Sequence, residues 1–449
     1  MSTQQLFAEH ITTISEHTEK ALALAAELEA AYDGIVFHSG TQDLYHADDH
    51  PIPFRPVPHF ARFAPVAGPE HLLVFRPGSK PKLFQVVPRD FWYEPAAEPD
   101  HPYAEVLDVV QVASRKEAAE QMGDVSRCAY IGNNPRAAAA LKIPLPHIEP
   151  KTLLAALDWY RAFKTPYEVE CIREAARGAA RGHRVVREGF ATKLTERRLH
   201  AAYLEATGLL ELETPYSNII AWDDCSATLH YQTKRASRPD PGAVLLIDAG
   251  SARCGYASDI TRTYANDDTH PVFREALDRM DDMQQQLVTS VGPGRSYIDV
   301  HARAHRGVAE ILCDLGVLKT DAADAFERKL THPFFPHGVG HHLGLQVHDV
   351  GGQQVNPQGE RRPPSDEHPF LRTTRELDVG HVVTIEPGLY FIPMLLEQHH
   401  SSDHASAFDW KLIDALIPFG GIRVEDDVLV TSDGFEDLTR PHVPGHRDS

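Results

Sequence analysis

The chain has 449 residues, too many for one ordinary core and enough for two domains. Its 44 Lys plus Arg against 64 Asp plus Glu leave a net charge of −20, which excludes holding nucleic acid or an anionic membrane by charge alone. Hydrophobic residues at 42% and charged residues at 24% are the proportions of a globular chain, and no apolar run reaches the length of a membrane span. Five scattered cysteines (Cys128, Cys171, Cys225, Cys254, Cys313) form no CxxC pair, and the polar stretch Met1 to Glu16 lacks the apolar core of a signal peptide. Both features point to reduced thiols in a cytoplasmic protein.

In chain order, residues 5 to 32 are expected to be helical, with an Ala/Leu/Glu-rich body, until Asp33-Gly34 breaks the run. Short apolar strands follow at Ile35 to Phe37, His71 to Phe75, Lys82 to Val87 and Cys128 to Ile131. The second and third flank Pro77-Gly78-Ser79 and read as a hairpin. Helical patterns recur at Ser114 to Gln121 and Lys151 to Phe163, giving a first domain, residues 1–163, of α/β type with a mixed sheet. The second domain, residues 164–449, opens on the capping box Thr165 to Glu168 with proline at the first helical position. Helices are expected to about Glu188, at Thr195 to Thr207, Val272 to Leu287 and Ile298 to Leu315. Strands are expected at Ala243 to Asp248, Ala257 to Tyr264, His381 to Ile385 and Ile422 to Val430, with a Pro-rich loop at Pro357 to Pro369. Helices on an antiparallel sheet make this half α+β.

Several residues carry candidate chemistry. Asp248 ends the apolar run Ala243 to Ile247, and Asp259 lies on the next strand of the expected hairpin, which would set two carboxylates side by side. Such a pair repels unless a cation joins it, although a surface hairpin with two solvated aspartates fits the same residues. Residues 337–348 hold four histidines (His337, His341, His342, His348) among glycines that permit close backbone approach. In a chain with 27 histidines one HxxxH pair could arise by chance. Glu386 ends an apolar strand, and Glu425 shares a strand face with Arg423. A strand-end carboxylate and a cross-strand ion pair are the plain alternatives. Taken together, Asp248, Asp259, His341, Glu386 and Glu425 supply four carboxylates and one imidazole. That set suits two divalent ions about 3.5–4 Å apart that deprotonate a water. Oxygen-rich ligation with one nitrogen favours Mn, Fe, Co or Zn.

Asp-Ala-Gly at 248–250, Ser-Asp-Ile-Thr-Arg at 258–262, His-Gly-x-Gly-His at 337–341, Ile-Glu-Pro-Gly at 385–388 and Arg-Val-Glu-Asp at 423–426 occur in this order. From about Lys164 to Arg440 the chain thereby resembles the pita-bread metallopeptidases: prolidases, aminopeptidase P and methionine aminopeptidase. The first half resembles the creatinase-type N-terminal domain. Creatinase itself lacks the metal ligands, whereas all five are present here. The resemblance implies an active Xaa-Pro dipeptidase with two divalent ions per subunit, Mn2+ foremost and Co2+, Fe2+ or Zn2+ as alternatives, and a homodimer. The competing readings are an aminopeptidase P acting on longer peptides and an inactive binding homologue.

The same resemblance implies roles. Asp248, Asp259, His341, Glu386 and Glu425 would be metal ligands, Asp259 and Glu425 contacting both ions, and Glu386 would also take the nucleophile's proton. His348 and His230 would be acid/base histidines, His230 otherwise being a packed strand histidine, and His337 would line the pocket. Arg372 would hold the proline carboxylate, which limits substrates to dipeptides. Arg423 is either a second substrate contact or a structural partner of a nearby carboxylate. The wording around Phe391-Ile392-Pro393 and Pro418 to Arg423 is most similar to the bacterial branch that includes organophosphorus acid anhydrolases. There Tyr216 and Tyr297 would line the leaving-group pocket, Asp49 would reach a neighbouring subunit's site, and phosphotriester hydrolysis would be a side activity.

Overall fold

The structure, a computed structural model, describes residues 1–92 and 101–447. Two compact units divide it: one comprises Met1–Arg161, Thr165–Glu168 and Gln354–Arg361, the other Ala162–Lys164, Val169–Gln353 and Arg362–Ser449.

In the first unit, the helix Thr3–Leu28 starts at Ser2, whose side chain accepts from the Gln5 amide while the Gln5 side chain reaches back to the Ser2 amide. Its apolar face buries Phe7, Ile11, Ile14, Ala21, Leu22 and Ala25. The helix stops at Leu28, a turn short of the residue 32 expected, because the amides of Glu29 and Ala30 both fold back onto the Ala25 carbonyl and close the end without glycine. The sheet is mixed, in the order Asp108–Val112, Lys82–Val86, Leu72–Phe75, Ile35–His38, Ala129–Ile131. The hairpin of Leu72–Phe75 with Lys82–Val86 is antiparallel as expected, and the two outermost pairings are parallel. The strand Asp108–Val112 was not anticipated; at the sheet edge only Val112 is buried, and the residues give no strong alternation.

In the second unit every strand pairing is antiparallel. Thr195 caps the helix Glu196–Thr207 and Gly208 closes it in a left-handed conformation. The helices Pro271–Val288 and Tyr297–Asp314 bury one face each, against a core that includes Val383, Ile385, Leu389, Ile422, Val428 and Val430.

Two expected strands are interrupted. The span Ala257 to Tyr264 resolves into Tyr256–Ala257 and Thr261–Ala265, so Asp259 lies between strands. The central strand Val244–Asp248 pairs with Thr261–Ala265 on one side and with an unanticipated strand, Ile219–Trp222, on the other. The span Ile422 to Val430 resolves into Gly421–Arg423, which pairs with Gly388–Tyr390, and Asp426–Thr431, which pairs with Val382–Ile385. The two chains keep one antiparallel register across the gap, Ile385 opposite Asp426 and Gly388 opposite Arg423, and the ladder is interrupted at Glu386-Pro387 on one and Val424-Glu425 on the other. Proline brings no amide to a ladder, which suits it to such a break. The Glu425 amide instead bonds the Thr261 carbonyl at 3.1 Å. Two glutamates therefore sit where three short sheets meet.

Candidate active site

Register begins the assembly. Asp248 ends its strand opposite Thr261, not opposite Asp259 as the hairpin reading expected. Asp259, two residues earlier, stands on the same side, and its amide donates to the Asp427 carboxylate at 3.1 Å. His341 is held by reciprocal bonds with Thr384: the Thr384 amide donates to the His341 carbonyl at 2.9 Å, and the His341 amide to Thr384 Oγ1 at 3.1 Å. Gly340 precedes it with φ near +151°, and a Cβ there would come within 2.1 Å of the Thr384 carbonyl, so glycine is required. Glu386 follows the strand Val382–Ile385, with its amide donated to the Val339 carbonyl at 2.8 Å.

These elements bring the five candidate donors together. His341 Nε2 lies 3.5 Å from Asp259 Oδ2 and 3.4 Å from Glu386 Oε1. Donor atoms of Asp259, His341 and Glu425 all lie within 4.8 Å of one another. Glu425 Oε2 accepts from Thr261 Oγ1 at 2.6 Å, and Asp248 Oδ2 accepts from Arg423 Nη2 at 2.6 Å.

The electrostatics explain what such a site needs. Burial pushes the pKa of Glu386 up to about 7, and nearby Asp259 adds to the rise. Burial and the charge of Asp259 push Glu425 well above the usual carboxylate range, and burial raises Asp248 as well. Asp259 alone falls below its ordinary value, because the hydrogen bond and charge of His341 outweigh its burial. Four carboxylates thus face one buried guanidinium and one imidazole. Cations would relieve the repulsion.

The donors fit divalent ions on three counts. Asp248 Oδ1 is buried with no hydrogen-bond partner among the described residues. His341 Nδ1 faces the His342 carbonyl at 3.0 Å, which makes Nδ1 the donor there and leaves Nε2, facing the carboxylates, to take an ion in place of its proton. The set is oxygen-rich with one nitrogen, as hard-to-borderline divalent ions prefer.

The remaining sequence-selected residues divide. The ring of His348 meets that of His341 edge-on at 4.5 Å between centroids, and His348 is exposed. His337 Nδ1 lies 4.0 Å from Glu386 Oε2, and its Nε2 is 2.9 Å from the Tyr390 hydroxyl. Burial, with the charge of Arg423, lowers the His337 pKa to about 3 and keeps the ring neutral. His230 lies in an exposed turn after the short helix Asp223–Ala227, so a packed strand histidine is ruled out. Arg372 is exposed, whereas Arg423 is buried and fully engaged with Asp248, Thr261 Oγ1 at 3.1 Å and the Tyr390 hydroxyl at 2.9 Å. For Arg423 the structural alternative therefore holds over the substrate contact.

Tyr216 is half-buried, and burial together with the charges of Asp248 and Asp259 pushes its hydroxyl pKa far up. Tyr297 is fully buried and donates to the Thr384 carbonyl at 2.6 Å, so its hydroxyl braces the Gly340-His341 segment. Asp49 is exposed in the loop between Leu44 and Pro51 of the first unit. Sequence reasoning passed over Thr261, Thr384, Tyr390 and Asp427. A signal existed for three of them: Thr261, Thr384 and Asp427 each stand two residues from a carboxylate donor, on the same face of an extended chain.

Known proteins resemble the chain over both units. Residues 170–432 match the model of metallopeptidase family M24, and residues 5–159 match that of the Xaa-Pro dipeptidase N-terminal domain. A Xaa-Pro dipeptidase of Pseudoalteromonas haloplanktis is 39% identical over 437 residues, covering 97% of this chain and 98% of that protein. One of Stenotrophomonas maltophilia is 38% identical, covering 97% of each. Among solved structures, aminopeptidase P from E. coli with the inhibitor Pro-Leu superposes with a TM-score of 0.72 at 23% identity over 97% of both chains. Aminopeptidase PepP of Pseudomonas aeruginosa gives 0.70 at 24% identity, over 96% of this chain and 95% of that one. These likenesses establish the pita-bread fold expected from the motifs. The chain belongs to metallopeptidase family M24.

Proposed function

We propose that this chain is a Xaa-Pro dipeptidase that releases proline from dipeptides, using two divalent ions held by Asp248, Asp259, His341, Glu386 and Glu425. The reading rests on one observation above the rest: five donors from five separated segments converge in a buried, carboxylate-rich site within a chain whose near-full-length relatives carry that activity in their names. Bound divalent ions would lower the pKa of a water and polarise the scissile carbonyl. We assign Mn2+ on the oxygen-rich donor set, a homodimer on the family resemblance, with Asp49 reaching the neighbouring site, and the cytoplasm on the scattered cysteines.

The chain's own residues would do the rest. Glu386, 3.4 Å from His341 Nε2 and at the edge of the donor set, would accept the attacking water's proton and pass it to the leaving imino nitrogen. The Xaa-Pro bond is a tertiary amide without N–H, so the site needs no donor from the substrate backbone there. His348 and His230 would stabilise the developing oxyanion. Arg423 donates to the Tyr390 hydroxyl, which in turn donates to neutral His337, and so fixes that imidazole at the pocket edge. Tyr216 would pack against the substrate. Arg372, exposed, would take the free proline carboxylate through a charge-assisted hydrogen bond. Assay of metal-reconstituted protein on Ala-Pro, Leu-Pro and Leu-Pro-Gly tests this reading. Cleavage of the dipeptides with little action on the tripeptide is expected; equal cleavage of all three would make the enzyme an aminopeptidase P.

A further inference from the structure

Outside the five-donor site, a second group of potential ligands stands in the second unit. His301 and His305 lie one turn apart on the helix Tyr297–Asp314, each 2% exposed. An i, i+4 pair of histidines on a helix presents two imidazoles to one point, the arrangement that helical zinc sites use. His368, from the Pro-rich loop, closes the group: donor atoms of His301, His305 and His368 lie within 4.8 Å of one another. His332 and Glu367 form a second compact group with the same His368. The rings crowd together, with centroids 4.7 Å apart for His301 and His305, 4.4 Å for His301 and His368, and 5.0 Å for His305 and His332.

Ordinary packing leaves this arrangement unexplained. Nδ1 of His301 is buried with no hydrogen-bond partner among the described residues. His305 Nδ1 is 2.8 Å from Thr331 Oγ1, which occupies one ring nitrogen and leaves Nε2 as the donor, as an orienting partner does at a metal ligand. A cavity of about 190 Å³ adjoins the rings, bordered by His332, Phe335 and Phe370 and able to admit an ion with its water. Burial, with the charge of His368 second, holds the His301 pKa to about 3, and burial depresses His305 further, so both rings are neutral at physiological pH and keep their lone pairs.

We propose that His301, His305 and His368 form a zinc-class metal site, with His332 or a water as fourth ligand, separate from the carboxylate-rich site. All-imidazole donors select late first-row ions, Zn2+, Cu2+ or Ni2+, where the oxygen-rich site favours harder ones. Zinc–nitrogen bonds of about 2.0–2.1 Å require the donor atoms to draw together to roughly 3.3 Å, a movement the partly exposed His368 loop can supply. The bound ion would clasp residues 367–371 to the helix, immediately ahead of Arg372.

The test uses the full-length protein dialysed against Zn2+, with zinc per chain counted by elemental analysis and a crystal measured at the zinc absorption edge. The wild type should hold one zinc more per chain than His305→Gln or His368→Asn, and anomalous density should lie among His301, His305 and His368. Because His305 is buried, His368→Asn is the informative variant should His305→Gln not fold. Equal zinc in the wild type and His368→Asn, or anomalous density confined to the five-donor site, overturns the proposal. Asp259→Asn, measured alongside, reports separately on the five-donor site.

Discussion

Replacing Arg372 by alanine tests the first-ranked of two candidate arginines against the second, Arg423. Arg372 is exposed, and among the described residues its guanidinium makes no hydrogen bond or ion pair. Its loss should therefore cost folding no more than about 0.5 kcal/mol, the range of surface substitutions. If it holds the proline carboxylate, one charge-assisted hydrogen bond of roughly 1.5–3 kcal/mol disappears from the complex, and KM for Leu-Pro should rise about ten- to a hundredfold. The preference for dipeptides over tripeptides should narrow as well, because the group that demands a free carboxylate is gone. Arg423→Ala should behave differently. It strands the Asp248 carboxylate, to which Arg423 donates at 2.6 Å, and breaking a buried pair costs about 3–5 kcal/mol. The variant should melt early before any kinetic effect is read. Steady-state kinetics on Leu-Pro and Leu-Pro-Gly, with a thermal melt of each variant, decide the matter. An Arg372→Ala enzyme with unchanged KM for Leu-Pro refutes carboxylate capture by this residue.

Two further outcomes follow from the packing. Gly340→Ala would press a Cβ to within 2.1 Å of the Thr384 carbonyl and 2.2 Å of the Tyr297 hydroxyl. It should cost about 1–3 kcal/mol and weaken metal retention through the displaced His341, read by melting and elemental analysis; an unshifted melt would show that the loop relaxes freely. Stability should also fall with acid. His10 is buried, with its ring nitrogens 2.8 Å from Thr165 Oγ1 and from the Arg62 carbonyl, and burial lowers its pKa from 6.5 to about 4. Between those values the unfolded chain binds the extra proton, so the stabilisation is complete above pH 6.5 and is lost as pH falls toward 4, at up to about 1.4 kcal/mol per pH unit. Urea titrations from pH 7 to 4 should be less steep in His10→Gln; an identical slope would remove His10 from the account.

Local signals made much of the fold legible. Capping residues announced the helix Pro166–Ala191, where the Thr165 amide bonds Glu168 Oε2 at 2.8 Å, and apolar periodicity announced Pro271–Val288. The strand Ile219–Trp222 is four residues long and wholly buried, so it shows no alternation to read. The breaks at Glu386 and Glu425 interrupt one antiparallel ladder without shifting its register, because their amides turn to the Val339 and Thr261 carbonyls, contacts that no local pattern encodes. The five donors were legible because each stands in a distinctive motif. Thr261, Thr384 and Asp427 were not, although their spacing of two from a donor was available. The histidines at 301 and 305 blend into an amphipathic helix whose other inward positions include Val300, Ala304 and Val308, and the approach of His368 sets them apart.

The most direct test of the central claim is a titration of metal-stripped protein with Mn2+, reading Leu-Pro hydrolysis and bound metal together. Activity should rise to its plateau as the second ion per chain binds, and Asp259→Asn should hold less metal and lose most turnover. Full activity with one ion per chain, or with none, would contradict a dinuclear site built on Asp248, Asp259, His341, Glu386 and Glu425.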